Sequence, residues 1–173
     1  MRLILATLLL WCSAAFAAQS PMLSLFRDGQ HLVPAAAIAS AEAQNLGEII
    51  EFIAEINDGK LVYRFTLVDP LSRNQSELTL DGVDGKVLDN HTRRLTKDAP
   101  PLALALMLQQ RQQRFSMLTQ LALVHNNGYL QQAELDQDLG ISYLELKVLD
   151  ENGSHKLAYD IEHQRQLPLL KWD

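Results

Sequence analysis

Cysteine is almost absent. The chain of 173 residues holds one, Cys12. It lies in the opening stretch "MRLILATLLLWCSAAFA", where one Arg, a short apolar run and a small-residue A-x-A site give the pattern of a cleaved export signal over residues 1–17. The expected mature chain, from Ala18, therefore has no disulfide, no thiol chemistry and no thiolate zinc site. A long hydrophobic run is also missing. Leu3 to Trp11 reaches about half of a membrane span, so no stable membrane insertion is expected once the signal is removed. Positive charge is in the minority, with 15 Lys and Arg against 21 Asp and Glu and a net charge of −6. No basic stripe exists for phosphate contacts, which excludes a nucleic-acid partner.

Catalytic signatures are missing as well. The five histidines (His31, His91, His125, His155 and His163) show no H-E-x-x-H or comparable metal spacing. No G-x-S-x-G elbow, G-x-G-x-x-G turn or phosphate loop occurs. Asp81 and Asp160 stand at matching strand ends, where two carboxylates suggest acid–base work. Each also begins a turn, and there Asp caps backbone N–H groups. The expectation is a non-enzyme with no cofactor, no metal and no catalytic residues. A hydrolase with dispersed residues is the alternative.

Periodicity organises the rest. The Ala-rich stretch from Pro34 to about Leu46 reads as a helix with Pro in its first turn and Gly47 as its stop. Ile50, Phe52, Ala54 and Ile56 then alternate with Glu51 and Glu55, which means a strand. Asn57, Asp58 and Gly59 form a hairpin signal, and Leu61, Tyr63, Phe65 and Leu67 return with period two. Leu78 and Leu80 make a third strand ending at Asp81. Residues 89–99 are polar and read as a linker. After Pro100 and Pro101, a helical stripe passes through Leu104, Leu108, Arg111, Phe115, Leu118, Ala122 and His125, with "QQRQQR" as either an exposed turn or a break.

The second half repeats the first. Gly128 matches Gly47. Tyr129, Ala133 and Leu135 take the places of Ile50, Ala54 and Ile56, and Glu134 that of Glu55. Leu144, Leu146 and Val148 replace Tyr63, Phe65 and Leu67, while Asp150 and Asp160 replace Asp69 and Asp81. Three strands with one apolar face are marginal alone, and a helix laid across that face completes a small core.

At these residues the chain resembles the PepSY family: "LVYRFTLVD" and "SELTLDGVDGKVL" in the first half, "YLELKVLDENG" and "KLAYDIE" in the second. The second copy departs from the pattern after Asp160, where "EHQRQLPLL" lacks the turn glycine. The resemblance implies an α+β protein of two PepSY-like units. Each would be a helix packed on a small antiparallel sheet of three to four strands. The units would span residues 18–90 and 115–173, joined by a linker and helical extension over 91–114. It also implies an exported bacterial protein, periplasmic or secreted, that binds and restrains a peptidase or another envelope protein through its sheet surface. The alternative is a periplasmic accessory or sensory module for a small ligand or a membrane-protein partner. Contact residues are expected among Glu51, Arg64, Thr66, Glu145 and Lys147, whose strand positions point away from the predicted core.

Overall fold

The computed structural model describes residues 20–168; the expected signal over 1–17 lies outside them. Two helices open the chain, α1 (Pro21–Arg27) and α2 (Pro34–Glu42), and four strands follow: β1 (Glu48–Asn57), β2 (Lys60–Asp69), β3 (Asn74–Asp81) and β4 (Val87–Arg94). Helices α3 (Pro100–Arg111) and α4 (Phe115–Leu123) precede β5 (Tyr129–Asp138), β6 (Ile141–Asp150), β7 (Gly153–Asp160) and β8 (Arg165–Leu167).

The fold departs from the expected pair of small units. All eight strands form one antiparallel sheet in the order β4-β3-β2-β1-β5-β6-β7-β8. The join is the pairing of β1 with β5, through Glu51 opposite Glu134, Phe52 opposite Ala133 and Ile53 opposite Gln132. The physical reason lies in the edges. As separate units, each half would leave its first strand as an exposed edge with unpaired N–H and C=O groups. Pairing the two satisfies both edges and lets Phe52 and Ala133, each fully buried, share one core.

The same devices recur in both halves. The hairpin after β1 has Asp58 at φ 49° and Gly59 at φ 77°; that after β5 has Leu139 at φ 48° and Gly140 at φ 81°. Positive φ at both central positions is the type I′ turn, whose twist matches its strands. Bulges fall at Ile49/Glu51 and at Leu130/Gln132. These landmarks align Phe52 with Ala133 and Ala54 with Leu135, two residues away from the correspondence read in the sequence for this strand.

Helix α2 lies over β1, β2, β3 and β5 and packs against α4. Beneath them, Phe52 stacks on Tyr63 at 5.8 Å and tilts against Phe65 at 5.4 Å. Helix α3 takes the other face. It crosses β1, β2 and β5, with Gln109 near Glu48, and it buries Leu102, Ala105 and Leu108. "QQRQQR" is a break. Gln112 turns to φ 53°, and the N–H groups of Gln112 and Gln113 donate to the Gln109 and Leu108 carbonyls, a Schellman-type stop. The break resets the helical phase, so Leu102 and Ala105 face inward and Arg111 stays exposed.

Residues 89–94 of the stretch read as a linker belong to β4, as do residues 91–94 of the expected 91–114 connection. This strand is exposed at every position, so no apolar alternation marks it. It is held by β3, with Ser76 and Thr92 hydroxyls at 3.0 Å.

Candidate functional site

The face of the sheet that carries α3 is mostly polar where the helix does not reach. Strand alternation puts Glu51, Ile53 and Glu55 of β1, Arg64 and Thr66 of β2, and Gln75, Glu77 and Thr79 of β3 on it. Glu134 of β5 and Asp89 and Arg93 of β4 complete the set, and Pro101 at the start of α3 borders it. Together they line an open cleft of about 690 Å³. Five carboxylates stand there against two guanidinium groups, so the cleft is acidic.

Register makes a carboxylate row. Glu77 lies opposite Thr66, Thr66 opposite Glu51, Glu51 opposite Glu134, and Glu134 opposite Glu145. Neighbouring strands are about 4.8 Å apart, and like charges directly opposite each other repel. The neighbours offset part of this. Thr66 Oγ1 donates to Glu51 Oε2 at 2.9 Å, Arg64 pairs with Glu55 at 3.3 Å, and Lys156 pairs with Glu145 at 2.5 Å. Among the described residues no hydrogen bond reaches the Glu134 carboxylate. Its pKa is raised, by desolvation first and then by Glu51, Asp136 and Glu145. Glu48, beside α3, is also raised, chiefly by desolvation.

Of the residues expected from sequence, Glu51, Arg64 and Thr66 meet in the cleft. Glu145 stands next to Glu134, outside the lining, and Lys147 lies further out between Gln132 and Lys156. Sequence reasoning missed Glu134, because its place beside Glu51 exists only through the β1–β5 join. It also missed Asp89 and Arg93; the alternation of Asp89, His91 and Arg93 was the available signal.

The aspartates at the strand ends are turn caps. Asp81 Oδ1 accepts from Val83 N at 2.7 Å. Asp160, fully buried, accepts from the backbone N–H of Glu162 and of His163, both at 2.9 Å, and its second oxygen lies 2.9 Å from the His163 ring. The His163 N–H is the main reason its pKa is lowered. Asp28 holds His31 in the same way, at 2.7 Å. Among the described residues no group of three His, Cys, Asp or Glu side chains is placed to hold a metal ion, and no helix is long and apolar enough to cross a membrane.

No family model matches the chain, and no curated protein does. Among solved structures, the chain is similar to a candidate lipoprotein from Clostridium difficile 630, with 19% sequence identity and a TM-score of 0.44 over 80% of this chain and 92% of that one.

Proposed function

We propose that this protein is an exported, non-enzymatic binding protein that engages an envelope or secreted partner through the acidic cleft. The observation that carries the reading is the carboxylate row from Glu77 to Glu145 on a sheet face left open by α3. Setting like charges side by side works against folding, and Glu134 is already perturbed toward the neutral form. A partner that brings Lys or Arg into the cleft relieves that repulsion, so binding energy and specificity come from the same residues. The PepSY resemblance makes a peptidase the favoured partner, with restraint of its activity as the outcome. The recurring hairpins and bulges are in keeping with that resemblance. The periplasmic or secreted location rests on the signal pattern over residues 1–17.

A second reading shares the cleft. Its volume lies in the range of small-molecule sites, about 300–1,000 Å³, which favours a small cationic ligand for an accessory or sensory module.

The test is direct. The purified protein is titrated with oligolysine and with peptidases secreted by the source organism, alongside Glu51→Lys and Glu134→Lys. The proposal expects saturable oligolysine binding that both variants abolish, and peptidase inhibition that falls in parallel. Equal binding by wild type and variants, with no effect on proteolysis, removes it. Binding of small amines without any peptidase effect selects the second reading.

A further inference from the structure

The eight-stranded sheet ends in two unlike edges. β8 has three residues, whereas β4 has eight, and each of those eight is exposed. Among the described residues no helix covers either face of β4, and its outer N–H and C=O groups lack a neighbouring strand. Natural sheets usually protect such an edge with short length, inward charge or a covering element.

We infer that β4 is a self-association edge, at which two copies of this chain pair antiparallel to make one continuous sheet. The charge pattern of the strand is the argument. Asp89, His91 and Arg93 stand on the cleft face, opposite Thr79, Glu77 and Gln75 of β3, and Asn90, Thr92 and Arg94 stand on the other, while a bulge leaves Leu88 unpaired. A two-fold axis perpendicular to the sheet sets same-face residues of the two strands opposite each other. With His91 on the axis, Asp89 faces Arg93 of the second copy, Arg93 faces Asp89, and Asn90 faces Thr92 in both directions. Every charge on the cleft face then has its complement, and the polar amide and hydroxyl can hydrogen-bond. Centring on Asn90 instead sets Arg93 against Val87. Centring on Thr92 sets His91 against Arg93, and centring on Arg93 sets like charges together.

Both partners of the matched pair are available. Among the described residues Asp89 makes no ion pair, and Arg93 makes only the hydrogen bond from Nη2 to Gln75 Oε1 at 3.2 Å, which leaves the rest of its fork free. The pairing also sets two acidic clefts side by side on one face, since Asp89 and Arg93 form the rim of each.

Sedimentation velocity of the purified protein, from micromolar to millimolar concentration, tests the inference. The interface is a single strand pair, so the dimer is weak but measurable. Asp89→Arg and Arg93→Asp each turn two attractions into repulsions and weaken dimerisation about tenfold or more, while the double reversal restores it. A second readout uses His91→Cys in a Cys12→Ser background. A residue on the axis has its own copy about 4.5–5.5 Å away between Cα atoms, within disulfide range. Mild oxidation therefore cross-links it far faster than the exposed control Lys97→Cys. A monomer at all concentrations, a dimer indifferent to the single reversals, a double reversal that stays monomeric, or cross-linking no faster than the control would each overturn the inference. A dimer through another surface gives the second result.

Discussion

Replacing Gly47 by Ala tests how the chain enters the sheet. Gly47 precedes β1 with φ at 128°, a conformation that side chains rarely adopt. A Cβ placed there lies 2.4 Å from the Val68 carbonyl carbon and 2.5 Å from both the Val68 oxygen and the Asp69 nitrogen. All three are backbone atoms of β2, fixed by the ladder in which Glu48 pairs with Val68. No rotamer change relieves the clash, so either the strand moves or the turn reopens. The backbone conformation alone costs about 1–3 kcal/mol, and forcing an extra carbon into a packed site adds about 1–3 kcal/mol. The reduced freedom of the unfolded chain returns only about 0.4–1 kcal/mol. The expected loss is therefore about 2–5 kcal/mol, a large share of a typical domain's 5–15 kcal/mol. Gly128 is the internal control. Its φ is 142°, but the nearest atom to an added Cβ is Val148 Cγ1 at 2.7 Å, a side-chain methyl that can rotate, with the Leu149 oxygen at 2.9 Å. Gly128→Ala should cost about 1–2 kcal/mol less, by the share of the packing penalty that rotation relieves. Urea denaturation followed by far-UV circular dichroism, extrapolated linearly, measures both. A loss below about 1 kcal/mol for Gly47→Ala, or a larger loss for Gly128→Ala, would refute the reasoning.

Three further outcomes are expected. Leu139 is 94% exposed and holds φ 48° in the β5–β6 turn, so Leu139→Asn, a residue suited to that position, should raise stability by about 1 kcal/mol in the same denaturation assay. Tyr63→Phe leaves the carbonyl of the half-buried Leu32 without its hydroxyl donor and should cost about 1 kcal/mol at neutral pH. Burial raises the Tyr63 pKa above its ordinary 10, so this group's stabilisation is complete below pH 10 and fades as pH rises past it; alkaline titrations of wild type and variant should converge there. Glu134 has its pKa raised, by desolvation and then by neighbouring carboxylates, so its contribution is favourable at acid pH and is lost as pH rises through the folded value. Glu134→Gln should therefore raise Tm at pH 7, with the gain vanishing below about pH 4, where the carboxylate is protonated in both states.

The strands were legible wherever one face was buried and the other wet. Leu61, Tyr63, Phe65 and Leu67 alternate with Arg64 and Thr66, and the structure buries the first four. Asn57-Asp58-Gly59 carries its turn chemistry openly. The matching turn at Leu139 was hidden, since Leu is a poor choice at positive φ. β4 was hidden for the opposite reason: with both faces in solvent it needs no apolar residues, and polar strands read as linker. Helix α1 has only seven residues, and its buried Met22, Leu23 and Phe26 span too little chain to reveal a period.

The β1–β5 seam was beyond local pattern for a deeper reason. Each half contains everything needed to draw a helix on three strands, and nothing within either half states that its first strand wants a partner. The information is split. Phe52 and Ala133 fit opposite each other in the shared core, while Glu51 and Glu134 meet on the reverse face at an electrostatic disadvantage. Folding tolerates that disadvantage because burying the two central edges satisfies their backbone groups and extends the core across both halves. The acidic row is thus a consequence of the seam. The like-charge contact of Glu51 with Glu134 follows from the strand pairing that makes one sheet out of two halves, so the fold and the proposed capture of a cationic partner meet at the same two residues.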